Sequence, residues 1–245
     1  MKVLTEKEIL QIWEAGQNRP LWFRGMLILA QAFPERSKSQ LANMTIGQRN
    51  YNLLKLRQRM VGSTIDSLVH CRKCRTPMEF QMNVEGIFDL VPCEREDQEF
   101  SEVIREVTLR FRALTSRDLA AIGETRTPET ARTLLVHRCI IQASREGNSL
   151  DSASIPEEII EELGDKMAET YDPHVEIRFV LECPACKHTW SAMFDIVSFF
   201  WAEISTQAQR LLQEIHLLAR AYGWSETEIM AMNAARKNYY LELVS

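Results

Sequence analysis

The chain has 245 residues, 45% of them hydrophobic and 26% charged, which fits one large globular domain or two small ones. Its net charge of −5 argues against nucleic acid as a partner, since proteins that bind phosphate backbones usually carry a basic excess. The start shows no apolar run behind basic residues, and the longest apolar stretch, 26–30, is too short to cross a bilayer. We therefore expect a cytoplasmic protein without a membrane partner, in which thiols stay reduced.

The N-terminal region, residues 1–62, is predicted to be helical. Residues Thr5–Glu8 have the T-x-x-E pattern of a capping box, in which each side chain bonds the other residue's backbone N–H group. Two further helices are predicted, over residues 21–33 and from 46 to about 60. The arginines of the last helix indicate a solvated face, because the chain as a whole is acidic.

Residues 63–92 contain the first of two Cys-x-x-Cys pairs, Cys71 and Cys74. After this pair, apolar and polar residues alternate from Met78 to Val84, which is the period of a strand with one buried face. The residues before the pair also have strand character. The pair is therefore expected at the tip of a β-hairpin.

The middle region, residues 93–173, is predicted to be an insertion of mixed strands and helices. Residues 89–102 are polar and acidic and indicate a loop, whereas residues 106–114 alternate as a strand. Helices are predicted from Thr115, from Thr127 to about Ala143, and from Ile155 to just before residue 172. The segment 144–154 is predicted to be a loop.

The second pair, Cys183 and Cys186, lies in residues 174–196 and repeats the spacing of the first. The apolar residues Val175, Ile177, Phe179 and Leu181 occupy alternate positions before it, so a second hairpin is expected. The C-terminal region, residues 197–245, is predicted to form a long amphipathic helix followed by shorter ones.

The two pairs together make a Cys₄ set, which suits tetrahedral zinc with Zn–S bonds of about 2.3 Å. The predicted ligands of one structural Zn²⁺ are Cys71, Cys74, Cys183 and Cys186. The 108 residues between Cys74 and Cys183 exceed the roughly 15 to 20 of compact sites, so whether both pairs share one zinc stays open.

Two other interpretations of the cysteine pairs remain. A redox pair of the thioredoxin type lies between a strand and a helix, whereas both pairs here are flanked by strands. The cysteines can also be unconnected buried residues, although two identical spacings in similar contexts argue against this. The sequence therefore predicts an α+β fold, mostly helical, with a small antiparallel zinc-ribbon unit built from two distant hairpins.

No catalytic motif is visible in the sequence. There is no phosphate-binding glycine loop, no nucleophile elbow and no His-Glu-x-x-His motif. Glu214 and His216 are two positions apart, so they point to different sides of the predicted helix. The sequence therefore predicts a protein that is not an enzyme and has no small-molecule substrate.

The C-terminal third resembles the phage-type baseplate hub assembly chaperone family, found in contractile tailed phages and related contractile injection systems. The resemblance covers residues 174–245 and rests on Cys183, Pro184, Cys186, Trp190, Asp195, Trp201, Glu203, Leu212, Glu214, His216, Ala219, Tyr222, Gly223, Trp224, Glu226, Glu228, Arg236 and Leu241. Arg75 and Lys187 stand where a glycine often follows each pair in the family.

The resemblance implies a non-enzymatic, zinc-binding assembly factor whose partners are baseplate, hub or spike proteins of a contractile tail. Such a protein works in the cytoplasm or in association with the particle. The candidate partner-binding residues are Phe199, Phe200, Trp201, Tyr222 and Trp224, although aromatic residues at helical spacing also occur in cores. The alternatives are a permanent structural subunit of the particle, a zinc-ribbon nucleic-acid-binding protein and a zinc-linked redox protein.

Overall fold

The computed structural model describes residues 1–88, 99–123, 127–171 and 177–244. Within these ranges the fold is α+β, with helices predominating and short antiparallel strands between them. The helices are α1 Glu6–Gly16, α2 Leu21–Ala32, α3 Lys38–Ala42, α4 Ile46–Val61, α5 Val84–Phe88, α6 Ser116–Ile122, α7 Pro128–Cys139, α8 Glu157–Lys166, α9 Ile196–Tyr222, α10 Glu226–Met230 and α11 Ala234–Val244. The strands are β1 Thr64–His70, β2 Pro77–Asn83, β3 Glu99–Ile104, β4 Val107–Arg112, β5 Ile140–Arg145, β6 Asn148–Leu150, β7 Ile177–Glu182 and β8 Thr189–Phe194.

The N-terminal helices begin and end close to their predicted positions. The Thr5 hydroxyl accepts a hydrogen bond from the Glu8 N–H at 3.3 Å, and the Glu8 carboxylate accepts one from the Thr5 N–H at 2.9 Å. This is the predicted capping box, and it satisfies N–H groups that have no partner inside the helix. The short helix α3 was not predicted.

The first and last thirds of the chain share one hydrophobic core. Helix α9 packs against α1, α2, α4, α10 and α11. Its buried stripe includes Phe200, Ile204, Ala208 and Leu211, which recur at the spacing of one helix face. The helices predicted as separate N-terminal and C-terminal regions therefore bury their apolar faces against each other.

Buried Arg57 ties the first hairpin to this core. Its Nη1 donates to the carbonyl oxygens of Gly62 and Thr64, at 2.7 Å each. Its Nη2 donates to Glu203 Oε1 of α9 at 2.7 Å. One guanidinium thus joins the end of α4, the start of β1 and α9, and it fixes where the hairpin leaves the helices.

A second core lies in the middle region, between α7, α8 and the four-stranded sheet β3-β4-β5-β6. Three sequence predictions were wrong in this region. Residues 99–102, predicted to be loop, belong to β3, and residues 140–143, predicted to extend a helix, belong to β5. The predicted loop 144–154 contains the end of β5 and strand β6.

Some predictions fall outside the described residues. They are the loop at 89–98, which includes Cys93, and the start of the predicted second hairpin, which includes Val175. The helix predicted to stop before residue 172 continues after α8 as a π-helical turn, Met167–Tyr171. The division of the chain into four regions stays a prediction.

Candidate metal centre

Both Cys-x-x-Cys pairs lie at the tips of antiparallel hairpins, as predicted. In the first hairpin the pairing runs from Thr64↔Asn83 to His70↔Pro77, and in the second from Ile177↔Phe194 to Glu182↔Thr189. The two hairpins belong to separate two-stranded sheets. Their bases are anchored in the large core, where Ile65 and Ile177 are buried. At about 3.3 Å per residue, the strands carry the cysteines roughly 20 Å from that core.

The two turns have the same backbone hydrogen bonds. In the first, the Cys71 N–H donates to the Thr76 carbonyl at 3.0 Å, and the Arg75 N–H donates to the Cys71 carbonyl at 3.0 Å. In the second, the Cys183 N–H donates to the His188 carbonyl, and the Lys187 N–H donates to the Cys183 carbonyl, at 2.9 Å each. Each turn is therefore closed and holds its two thiols on one side.

The residue after each pair adopts a left-handed backbone. Arg75 has φ 63° and Lys187 has φ 58°. This conformation costs a residue with a Cβ atom about 1–2 kcal/mol, which explains why glycine is common there in the family that the sequence resembles. Both turns therefore adopt this conformation without a glycine.

The four sulfur atoms converge between the hairpins. All lie within 4.8 Å of one another. Cys71 Sγ is 3.7 Å from Cys186 Sγ, and Cys74 Sγ is 3.5 Å from Cys183 Sγ. Tetrahedral bonds of about 2.3 Å place sulfurs about 3.8 Å apart, whereas a disulfide needs about 2.05 Å. The distances between the pairs therefore fit ligation of one ion and exclude disulfides in this arrangement.

The hydrogen bonds around the thiols separate their pKa values. A hydrogen bond between Cys74 Sγ and the Thr76 hydroxyl, at 3.2 Å, is the main reason that the pKa of Cys74 falls to about 6. The Cys74 backbone N–H, together with that of Lys73, lowers the pKa of Cys71.

Cys186 behaves in the opposite way. Its hydrogen bond from the His188 backbone favours the thiolate, but burial and the three neighbouring sulfurs outweigh this and raise the pKa of Cys186 to about 12. Four thiolates so close together repel one another, so a cation that binds all of them must displace at least one proton.

The donor set defines the kind of site. Cys71 and Cys183 are buried, Cys186 is partly buried and Cys74 is exposed. The ring of His188 stacks on Trp190 with centroids 5.8 Å apart, and neither His70 nor His188 belongs to the ligand cluster. Four thiolates complete a tetrahedral shell without an open position, which is typical of structural metal sites. Within the described residues, no other group of three or more potential ligands was found.

Thr76 was not singled out from the sequence. Its hydroxyl contacts Cys74 Sγ and its carbonyl closes the first turn. Threonine occurs in many loops, so only its position two residues after the second cysteine could have indicated this role.

The predicted partner-binding residues occupy different environments. Phe200 is 1% exposed and Trp201 is 8% exposed, so both are core residues and offer no surface in the folded chain. Phe199 is half-buried, with its ring 5.6 Å from that of Phe194. Tyr222 is 37% exposed, whereas Trp224 is partly buried against the large core, and their rings stack 4.4 Å apart.

The fold and the four-cysteine cluster thus define a mostly helical protein with a four-cysteine ribbon inserted between its helices. A family model described as T4 bacteriophage base plate protein matches residues 27–201, which include the second half of α2, all of α4 and both cysteine pairs. The chain therefore belongs to this family of phage baseplate proteins. The match ends at Trp201 near the start of α9, and no curated protein or solved structure gave a significant match. Among the described residues, no helix is both long and apolar enough to cross a membrane.

Proposed function

We propose that this baseplate-family protein is a non-enzymatic assembly factor for the baseplate or hub of a contractile tail, and that it carries one structural Zn²⁺. The observation that carries the proposal is the convergence of Cys71, Cys74, Cys183 and Cys186 in a chain whose family is that of baseplate proteins. The assembly role follows from the resemblance of the C-terminal helices.

The zinc acts as a cross-link in this proposal. It joins the tips of two hairpins that have no strand pairing with each other in the described residues. Because a two-stranded hairpin alone is marginal in water, the ion adds the long-range constraint that the strands lack. The ribbon then serves as a fixed support and performs no chemistry.

The partner surface is assigned to the aromatic cluster formed by Tyr222, Trp224, Tyr239 and Tyr240, where α9 ends and α11 packs. The Trp224 and Tyr240 ring centroids are 4.8 Å apart, and Tyr239 is 62% exposed. Large, amphipathic rings supply much of the binding energy in protein interfaces. Tyr222 and Trp224 were among the partner-binding residues predicted from the sequence. The buried residues Phe200 and Trp201 are not part of this cluster, and Tyr239 and Tyr240 take their place.

A pull-down from cells that express the chain with its neighbouring tail genes tests the assembly role. We expect a hub, spike or wedge protein to be retained, and the double substitution Tyr222→Ala and Trp224→Ala to reduce the retained amount at least about tenfold. Val180→Ala, at an exposed apolar residue of β7, is the matched control and should retain the partner. Salt-sensitive retention of DNA or RNA instead of a tail protein contradicts the proposal.

A permanent structural subunit is the second candidate, favoured by the description of the matching family as a base plate protein. Mass spectrometry of purified particles separates the two. An assembly factor is present in cell extracts and absent from finished particles, whereas a subunit is present in both at a fixed ratio.

A further inference from the structure

A groove of about 510 Å³, here called the hairpin groove, lies between the two hairpins. One wall consists of four consecutive residues of β1, Asp66–Val69, and the opposite wall consists of residues 192–194 of β8. Apolar, half-buried side chains of β2, β7 and α9 complete the lining: Phe80, Met82, Phe179 and Phe199. Neither the cysteines nor the aromatic cluster at the end of α9 contributes to this groove.

The backbone edge of β1 borders the groove. Side chains of a strand alternate between its two faces, so a run of consecutive lining residues indicates that the groove follows the edge of the strand. Strand β2 contributes only Phe80 and Met82, which lie on one face. The first hairpin therefore turns its β1 edge, and not its β2 edge, toward the second hairpin.

The ladder of the first hairpin shows which backbone groups on this edge are open. The Cys71 N–H donates to the Thr76 carbonyl at 3.0 Å, and from this pair the residues that bond to β2 alternate along β1. The N–H and C=O groups of Asp66 and Leu68 therefore point away from β2, toward the groove. Within the described residues, these four backbone groups have no hydrogen-bond partner.

Strand β1 lacks the features that usually protect an open edge. Exposed edges commonly carry lysine, proline or a bulge, each of which prevents pairing with another chain. Strand β1 contains no proline, lysine or arginine, and its pairing with β2 is regular. It exposes 59% of Leu68, whereas the outer strand β2 begins with Pro77 and carries Glu79. The β1 edge is therefore suited to pairing with another strand.

Asp66 adds a charge to this edge. Its Oδ1 accepts a hydrogen bond from the neutral Gln81 side chain at 2.8 Å, and among the described residues it forms no ion pair. The other carboxylate of the groove, Asp195, already caps α9 through the N–H groups of Val197 and Ser198. None of the described residues that line the groove is a lysine or arginine. A cation on an added strand would therefore complement Asp66.

We propose that an extended segment of a partner protein pairs with the open edge of β1 and adds a third strand to the first hairpin. The segment carries apolar residues at alternate positions, which enter the hairpin groove, and a lysine or arginine beside Asp66. An extended backbone offers donors and acceptors at the two-residue spacing of this edge, whereas a helix uses its own backbone groups internally. The proposal rests on the proposed assembly role only in taking the partner to be a tail protein.

Fluorescence anisotropy with two labelled libraries of short peptides tests the chemistry of the partner. Both libraries contain the same lysine, the same threonines and the same number of randomised apolar residues. The apolar residues alternate in one library and follow helical spacing in the other. We expect the full chain to bind the alternating library at least about tenfold more tightly, because only that pattern pairs with β1 and fills the groove together. Equal binding, or binding of neither library, overturns the proposal.

Hydrogen exchange followed by NMR locates the pairing. With the tightest-binding alternating peptide, the N–H groups of Asp66 and Leu68 should exchange at least about tenfold more slowly, because they donate to the added strand. The Val180 N–H is the internal control, since it points away from β8 at the outer edge of β7 and Val180 does not line the groove. Unchanged exchange at Asp66 and Leu68, or equal protection of Val180, overturns the proposal.

Variants with matched controls complete the test. Leu68→Pro removes an open N–H group without breaking a bond to β2, so it should weaken peptide binding at least about tenfold, whereas Val180→Pro should not. Asp66→Lys avoids proline and should weaken binding by a similar factor through repulsion of the peptide's lysine, whereas Glu79→Lys on the outer strand should not. Equal losses in a variant and its control overturn the proposal.

A second copy of the chain is the other occupant that the experiments distinguish. Self-association of the unmodified chain in light scattering, abolished by Leu68→Pro, assigns the β1 edge to a second copy and overturns the proposal. The composition of finished particles and the effect of the aromatic-cluster substitutions are measured separately. Failure of strand pairing and failure of the assembly role are therefore distinguishable.

Discussion

At the scale of single residues, a glycine explains why Trp201 is buried. The indole ring lies on the backbone of Gly16, the last residue of α1, where a Cβ atom would be 2.2 Å from Trp201 Cη2. The Arg24 guanidinium lies over the Trp201 ring, 4.6 Å from its centroid. Arg24 Nε also donates a hydrogen bond to the Gly16 carbonyl at 3.1 Å. The glycine therefore lets α1 approach α9 closely enough to cover the tryptophan.

Replacing Gly16 with alanine should separate these two helices. We expect Gly16→Ala to lower the free energy of unfolding by about 1–3 kcal/mol, because overpacking moves the Trp201 ring or the helix. Urea unfolding measures the change. Gly86→Ala is the control, since nothing lies within 4 Å of a Cβ there and the site is helical. Equal stability of Gly16→Ala and the unmodified chain would show that the contact is unimportant.

A buried carboxylate organises the second core. Asp118 accepts hydrogen bonds from Arg112 at 2.7 and 2.9 Å, from Arg138 at 3.1 Å and from the Thr115 hydroxyl at 2.7 Å. Burial alone would raise the pKa of Asp118, but the bonds from Arg112 and Thr115 outweigh burial and lower it to about 2. The charged form is thus the one that the fold stabilises.

Asp118 should make stability depend on pH in the acid range. Because its folded pKa of about 2 lies below the ordinary 3.8, its contribution is complete above about pH 4 and is lost as the pH falls toward 2. We expect Asp118→Asn to lower the free energy of unfolding by about 2 kcal/mol at neutral pH. Between about pH 4 and 2 the stability of this variant should depend less on pH than that of the unmodified chain. Thermal melting from pH 2 to 7 measures it. Asp165→Asn, on the surface, should keep the profile of the unmodified chain, and an unchanged profile in Asp118→Asn contradicts the assignment.

At the scale of elements, the sequence predicts the helices and strands that are marked by a pattern within a few neighbouring residues. Capping boxes mark the helices that begin after Thr5 and Ser225, and the structure confirms both helices. Alternating apolar residues mark the strands beside both cysteine pairs, and the structure confirms both hairpins. The hairpins β3–β4 and β5–β6 were missed because their turns lack the usual Asn-Gly signal. Arg105-Glu106 and Glu146-Gly147 have positive φ at both central residues, which is typical of type I′ turns.

Strand β5 was predicted to be helical for a different reason. Ile140 and Ile141 continue an apolar pattern after α7, so nothing local ends the helix. The strand forms because β5 pairs with β4, for example Ala143 with Leu109, and such pairing depends on residues far away in the sequence. The same limit applies to Phe200 and Trp201, since helical spacing alone does not distinguish a core from an interface.

The C-terminal helix α11 is attached to the core through a buried lysine. Lys237 is 3% exposed, and its Nζ lies 2.8 Å from both carboxylate oxygens of Glu6 in α1 and 3.1 Å from Glu214 Oε2 in α9. Hydrogen bonds to charged groups contribute more than neutral ones. The ammonium therefore connects three helices.

Lys237→Met should release α11 while the rest of the chain stays folded. We expect a loss of about 2 kcal/mol in local stability, because two partly buried carboxylates lose their cation. Hydrogen exchange measures this as faster exchange confined to residues 234–244. Lys7→Met, at an exposed lysine of α1, is the control. Unchanged protection of α11 in Lys237→Met would show that apolar contacts alone hold it.

At the scale of the whole molecule, the two halves of the candidate metal centre come from distant parts of the chain. The large core brings the bases of both hairpins together, and the cysteines then meet at the tips. The sequence shows the four cysteines and their spacing. Because 108 residues separate Cys74 from Cys183, it does not show whether the two pairs lie close enough to bind one ion. Only the packing of helices from both ends of the chain provides that information.

X-ray absorption at the zinc edge tests the central claim most directly, because it counts the sulfur atoms bound to the ion. For the purified chain we predict one zinc with four sulfur neighbours at about 2.3 Å. Cys139→Ser, at a buried cysteine outside the cluster, should leave the spectrum unchanged, whereas Cys186→Ser should lower the sulfur count or the zinc content. Two sulfurs with two nitrogen or oxygen neighbours, or no bound metal, would contradict a single ion shared by both hairpins.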